Sequence, residues 1–509
     1  MSPVKTATAA KIAKKDPPKP YKRINAWDEL PGKCEKLLEE RAKRYIQFLS
    51  ECKTERETLQ RVESEARKAG FQNLEEILRK NSQGKSAAIR PLKPGSRIYW
   101  INKNRAMGLA VIGKRPVTEG MRLIAAHHDV PHLDLKALPL YEKHGLAFFR
   151  THHYGGIKKF QWAAIPLALH GFAATREGKF FSFSIGEKPG EPVFTITDIA
   201  PHLSAKIQND RKATEVLRGE ELNILIGNRP RHDKTKAADA DKKDKKSSIP
   251  AGKGEDRVKA SVLAWLHSHW GLQEEDLAWA EVSAVPAFPA RDVGFDGSLI
   301  GGFGHDDRAC VMAALEAIMN VKTPENTATV LFFDKEEIGS AGAAGAQSMM
   351  GPDFLQRLVE AASGDTSYGT LRRALSETLA LSGDTNAAIE PVFEAAYDST
   401  NSGYLGSGVW VTKFSGAGGK SGSSEADVEF IARIRKLLTD EKIPYQFGEM
   451  GKVDEGGGGT VAKFLAQLNM HVLDLCLPVL SLHSPFEILA KVDYHYTIEA
   501  YRAFLENKM

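Results

Sequence analysis

Short apolar stretches with the length of buried strands recur along this chain, and they stop on acids and imidazoles. MRLIAAHHD ends in His127, His128 and Asp129; TVLFFDKEEIGS runs into Glu336 and Glu337; LALSGD ends at Asp384; PVLSLHSPFE carries His483. At a fifth place an acidic pair, Asp306 and Asp307, follows a glycine-rich loop and opens the helix-like HDDRACVMAALEAIM. Strands of this kind, with amphipathic helices between them, specify an α/β fold: a mixed, mostly parallel sheet with helices on both faces. In such sheets the ligand crevice lies beyond the carboxyl ends of the strands, so polar groups far apart in sequence can converge there.

Each polar group has a plainer explanation. Glu-Glu pairs are common on solvated surfaces. His127 could be a hydrogen-bonded core histidine, Asp306 and Asp307 suit a helix N-cap, and Asp384 in SGDTN suits a turn. Five such coincidences at strand ends in one domain are less convincing than one site. Two imidazoles and several carboxylates form a nitrogen and oxygen donor set that suits zinc, with cobalt or manganese as substitutes. A bridging carboxylate, plus one imidazole and one further carboxylate per ion, would make a two-metal site that ionises a water and polarises a carbonyl. Adjacent Glu336 and Glu337 point in different directions on an extended segment. One can ligate while the other takes the water's proton and delivers it to a leaving amine.

With 509 residues the chain is too long for one core. Residues 1–25 are lysine-rich, lack the apolar stretch of a secretory signal, and read as a flexible basic tail. Residues 26–131 form a first catalytic segment: surface helices such as CEKLLEERAKRYIQFL, then strands in RIYWINK, GLAVIGK and MRLIAAHHD. Residues 132–292 read as an inserted all-β unit, with short β-prone runs separated by turn residues. Within it, 228–257 is a polar tract without aromatic residues, read as a mobile loop. Residues 293–509 return to α/β alternation. The formal charge of +4, from 69 Lys+Arg against 65 Asp+Glu, argues against nucleic-acid or membrane partners. Four scattered cysteines form no disulfide framework and fit a reducing, cytoplasmic compartment.

The ordered set AHHDVPHLDLK, GHDDRAC, FDKEEIGS, LSGDTNAA and LSLHSP resembles the aspartyl aminopeptidase family over nearly the whole chain. THHYGGIKKFQW, PARDVGFDGSLIGG and GKVDEGGGGTVAKFLA are similar to its bacterial branch. The resemblance implies a di-zinc exopeptidase that forms a homododecamer from dimers, with the inserted unit as dimerisation domain. It implies that His127, Asp306, Glu337, Asp384 and His483 ligate two zinc ions per subunit, with Asp306 bridging. Glu336 would be the general base, and Asp129 would orient His127. The substrates would be peptides, with a preference for acidic N-terminal residues. Asp307 stands where many relatives have Asn, and Val130 replaces a common Ser; neither removes a ligand. GKVDEGGGGT, which includes Gly457, differs from its eukaryotic form at a segment expected to contribute to the substrate pocket. Lys413, in VTKF, is a candidate partner for a substrate carboxylate, or else an exposed strand-end lysine. Lys420 in GGKSGS lacks the glycine spacing of a phosphate loop. His152, His153 and His170 lie in the inserted unit, where a neighbouring subunit's histidine could reach the site; an interface or core role is the plainer account. A carboxypeptidase or amide deacylase would use the same ligands, and an inactive scaffold would have lost some of them.

Overall fold

The computed structural model describes residues 20–82, 91–175, 177–231 and 256–506. Its centre is a nine-stranded mixed sheet in which four neighbouring strands, Ala328–Phe333, Arg122–His127, Leu379–Ser382 and His471–Cys476, run parallel. Successive residues of a strand face opposite layers, and here both layers are covered. Ile124, Ala126, Val330 and Leu381 pack with the helices Glu35–Glu51, His305–Asn320, Val428–Asp440 and Lys491–Leu505. Leu123, Ala125, Leu331 and Ala380 pack with Met350–Ser363 and Tyr368–Ser376. That is why these strands read as nearly unbroken apolar runs. Each fully buried Leu, Ile or Phe contributes about 1.5–3 kcal/mol. The packing is close: a Cβ on Gly108 would lie 2.5 Å from the Phe354 ring.

Two further sheets complete the fold. A five-stranded sheet joins Arg291–Val293, Leu299–Gly302, Glu487–Ala490, Pro478–Leu480 and Asn386–Ala387. The seven-stranded sheet of the inserted region is antiparallel throughout and contains His132–Lys143, Leu146–Tyr154, Leu167–Ala174 and Glu281–Pro286.

The secondary structure and segment boundaries differ from the sequence expectations in three places. The inserted region is not all β: Arg257–Trp270 is a helix. Val258, Val262, Leu266 and Trp270 recur every four residues, a helical stripe, and Val258 and Val262 lie against Gly227 of a neighbouring strand. The strand Arg291–Val293, where the insertion was expected to end, belongs to the five-stranded sheet. The tail expected to run to residue 25 is docked before that point. The Arg23 guanidinium donates to the Ser402 carbonyl at 2.7 Å and sits 3.8 Å above the Tyr404 ring. The rest of the expected tail, 1–19, and most of the expected loop, 232–255, lie outside the described residues. Among the described residues no helix is long and apolar enough to cross a membrane.

Charged groups tie the inserted sheet to the rest. His170, on the strand Leu167–Ala174, is buried between Glu57 (2.7 Å) and Glu187 (2.8 Å). Glu57 also accepts the backbone N–H groups of Lys53 and Thr54, and the Lys53 ammonium reaches Glu187 at 3.0 Å. Burial works against the charged imidazole, but hydrogen bonds to Glu187 and Glu57 outweigh it and raise His170 to about 9. Nearby His132 is also raised to about 9: burial opposes, and Asp134 and Glu55 prevail. A histidine whose folded pKa exceeds its unfolded value of about 6.5 contributes stability below that value and loses it as pH rises through the folded pKa. The thermal unfolding midpoint should therefore fall between about pH 6.5 and 9.5. His170→Gln should flatten part of that slope, with His132 supplying the remainder. An unchanged slope in melting curves across this range would refute the assignment.

Candidate metal centre

The parallel strands deliver the site. His127 is the last residue of its strand and pairs with Phe333, so the Asp334–Glu337 turn begins beside it. Ser382 pairs with Ala125, which places Asp384 two residues beyond, on the other side. Asp306 precedes the regular turns of the helix His305–Asn320, where Asp306 (φ −82°, ψ 111°) is extended rather than helical and makes no capping bond. His483 lies between two strands of the five-stranded sheet.

These side chains form two clusters that share one carboxylate. Asp306 Oδ1 lies 3.4 Å from His127 Nε2, which is 3.7 Å from Asp384 Oδ1. Asp306 Oδ2 lies 3.0 Å from His483 Nε2, which is 3.4 Å from Glu337 Oε1. His127, Asp306 and Glu337 each offer a donor atom within one cation-sized space, as do His127, Asp384 and Asp307. Asp307 is the weaker candidate, because its oxygens face the backbone N–H groups of Thr385 (3.1 Å) and His127 (3.4 Å). Asp306 Oδ1 and Glu337 Oε1 are buried with no hydrogen-bond partner. Unsatisfied carboxylate oxygens beside imidazole nitrogens are what a zinc site requires of a chain, so these residues fit such ions.

Electrostatics agree. Burial pushes Glu336 up to about 8; His127 opposes this, while Asp384, Asp129 and Asp306 reinforce it. Burial and Asp306 likewise hold Glu337 well above the usual carboxylate range. Burial raises Asp384 to about 6 against the pull of His127. A divalent ion among these groups would replace carboxylate repulsion with attraction.

Two buried carboxylates, Asp129 and Glu487, contact the donor residues and their backbone, and only Glu487 was not singled out in the sequence. Asp129 itself was expected, but its reach is wider than orienting His127. Its Oδ1 lies 3.4 Å from His127 Nδ1 and accepts Glu336 N–H at 3.0 Å, and its Oδ2 accepts Glu337 N–H at 3.1 Å and the Tyr154 hydroxyl at 2.8 Å. Glu487 accepts the backbone N–H of Asp306 at 3.1 Å and of His483 at 2.7 Å. The only signal for it was an acid placed inside the apolar run PFEILA.

His127, Asp306, Glu336, Glu337, Asp384 and His483 line one cavity of about 550 Å³. Glycine-rich loops line it as well, and Gly457 is among their residues: with φ +121°, a Cβ there would fall 2.0 Å from the Gly416 carbonyl oxygen. Two expected substrate contacts are elsewhere. Lys413 is half exposed, with its ammonium 3.8 Å from Glu425. It lies one residue past the strand Val409–Thr412, and its neighbours Thr412 and Phe414 line the cavity while it does not. His170 lines a different cavity and has both ring nitrogens engaged. Lys420 and Lys452 line the metal-site cavity instead.

The sequence and the fold match proteins of one kind. Residues 48–505 match the family described as Aminopeptidase I zinc metalloprotease (M18). A probable M18 family aminopeptidase 1 from Clostridium acetobutylicum is 39% identical over 491 residues, covering 96% of this chain and 99% of the relative. The crystal structure of an M18 aminopeptidase from Thermotoga maritima superimposes with a TM-score of 0.85 at 36% identity, covering 96% of this chain and all of that one. At 17% identity, the S. cerevisiae mApe1 dodecamer shares the fold with a TM-score of 0.71, covering 93% of this chain and 98% of its own. The class is that of the zinc metallopeptidases. Within it, this chain belongs to the M18 aminopeptidase family.

Removing the Glu487 carboxylate should loosen the centre without touching a donor atom. Glu487→Ala leaves the buried N–H of Asp306 unpaired, at about 1–3 kcal/mol, and the partly buried N–H of His483 at less. Zinc affinity should fall about 10–100-fold in chelator competition; an unchanged affinity would show that Glu487 does not hold the donors.

Proposed function

We propose that this chain is a di-zinc aminopeptidase that removes the N-terminal residue from peptides. The observation carrying the reading is the pair of donor clusters joined through Asp306. His127, Asp384 and Oδ1 of Asp306 would hold one ion; His483, Glu337 and Oδ2 of Asp306 would hold the other. Such ions supply Lewis acidity, lowering the pKa of a water and polarising the scissile carbonyl. Glu336 takes a proton from the attacking water and passes it to the leaving amine. Asp129 keeps Nδ1 of His127 engaged, so that Nε2 faces the cluster. The carboxylates around the centre attract the free α-ammonium of the substrate.

An acidic side-chain preference falls to Lys420 and Lys452 rather than Lys413, since these two line the cavity. Lys420 already has a partner, Glu425 at 2.8 Å, which leaves Lys452 as the stronger candidate. Self-association into a homododecamer built from dimers is supported by large apolar side chains exposed on the inserted region, Phe180 (71%), Leu203 (69%) and Trp279 (79%). The dodecameric relative shares the fold. All four cysteines are unpaired, which suits the cytoplasm.

Metal-stripped protein should be inactive and should recover with zinc, cobalt or manganese. Glu336→Gln should retain both ions by elemental analysis while kcat drops about 10²–10⁴-fold. Full activity in that variant would remove Glu336 from its role. A profile of aminoacyl substrates tests the rest: Lys452→Ala should lower kcat/KM for acidic N-terminal residues more than for leucine. Preference for N-acylated over free-amine peptides would replace the aminopeptidase reading with an amide deacylase.

A further inference from the structure

One segment of the inserted sheet touches both halves of the metal centre. The strand Leu146–Tyr154 ends on Tyr154, whose hydroxyl donates to Asp129 at 2.8 Å. Asp129 in turn holds the Glu336 and Glu337 N–H groups, and Nδ1 of His127 lies 3.1 Å from its carbonyl oxygen and 3.4 Å from its carboxylate. Two residues further on, the Gly156 carbonyl accepts His483 Nδ1–H at 2.8 Å. Gly155, between them, has φ +71°, and a Cβ there would lie 3.3 Å from Glu337. The Tyr154 ring has little freedom. It stacks on His132 at 4.5 Å and 13°, and the Lys335 ammonium lies 5.2 Å from its centre.

We propose that Tyr154 is a positioning residue, and that Tyr154–Gly156 aims both imidazoles of the centre from the inserted sheet. The inference rests on the di-zinc reading above. An imidazole presents one nitrogen to a ligand site only while the other is held by an acceptor. Gly156 supplies that acceptor directly for His483. For His127 the acceptor is Asp129, and Tyr154 adds a hydrogen bond to the Asp129 oxygen that also accepts the Glu337 N–H. Phe at this position keeps the ring and its stacking but removes the hydroxyl.

The test is a cobalt titration of full-length Tyr154→Phe beside the wild type, with visible spectra and steady-state kinetics. The wild type should bind two equivalents. In the variant, one equivalent should bind about 10–100-fold more weakly and the visible bands should move. Its kcat should fall about tenfold, with KM changed by less than about twofold. A structural role alone would lower the unfolding midpoint and leave the spectrum of the bound metal unmoved. A chain carrying 3-fluorotyrosine at position 154 has nearly the same shape with a stronger donor, and its cobalt bands should also move, so the inference does not depend on the folding of Tyr154→Phe. Unmoved bands and unchanged affinity overturn the role of Tyr154. A wild type that binds no cobalt overturns the di-zinc reading itself, and this inference with it.

Discussion

Carboxylates crowded out of water constrain this structure more than any other feature. Asp129, Asp306, Asp307, Glu337 and Glu487 are all buried, or nearly so, within one corner of the fold. Isolated buried charges are costly enough that such groups protonate, pair or bind cations. Here the acids divide into two kinds. Asp129, Asp307 and Glu487 spend their oxygens on backbone N–H groups, while Asp306 and Glu337 retain buried oxygens with no hydrogen-bond partner. The first kind fixes geometry, and the second leaves a demand for positive charge. Asp306 faces both clusters because its backbone is extended at the mouth of a helix, where its N–H is taken by Glu487.

The same division explains how distant segments are held in register. Glu487 pairs with Gly302 across the five-stranded sheet, so its carboxylate reaches forward to Asp306 and back to His483. Asp129 does the equivalent work between His127 and the Glu336–Glu337 turn. Both donors to Glu487, and the Glu336 and Glu337 donors to Asp129, are backbone N–H groups, which cannot rotate away as a side chain can; His127 is met through its ring nitrogen. A donor set built on such anchors loses little conformational entropy when a ligand arrives.

Much of this was legible in the sequence, and the reasons are physical. A strand buried on both faces needs an unbroken apolar run, so its end is conspicuous, and His127, the Glu336–Glu337 pair and Asp384 mark three such ends in the cavity. What escaped acts through the backbone or across units. Glu487 serves two N–H groups, and no periodicity announces that. Tyr154 and Gly156 matter because of where an inserted sheet rests. Lys413 looked suitable as the strand-end lysine of VTKF, but it falls just past its strand, and its neighbours Thr412 and Phe414 line the cavity while it does not. His170 looked like a site histidine, yet two glutamates take up both its nitrogens. The helix Arg257–Trp270 was lost because its stripe begins where a long polar tract ends.

The place of the insertion also matters. The chain leaves the central sheet at His127, passes Asp129, and begins the inserted sheet at His132; it leaves that sheet at Pro286 and reaches Asp306 after two short strands. Donor residues therefore flank the insertion on both sides, and Tyr154 and Gly156 return from within it to the same centre. Local opening of the inserted sheet would shift its flanks and break the contacts of Tyr154 with Asp129 and of Gly156 with His483. Regions of a fold open locally with their own free energies, so the centre is no more rigid than the weaker of the two units that meet there. The buried ion pairs around Lys53, Glu57, His170 and Glu187 lie on that boundary. Their contribution is to keep the seven-stranded sheet in one orientation against the strands that end at the candidate site, which is a requirement of geometry before it is one of stability.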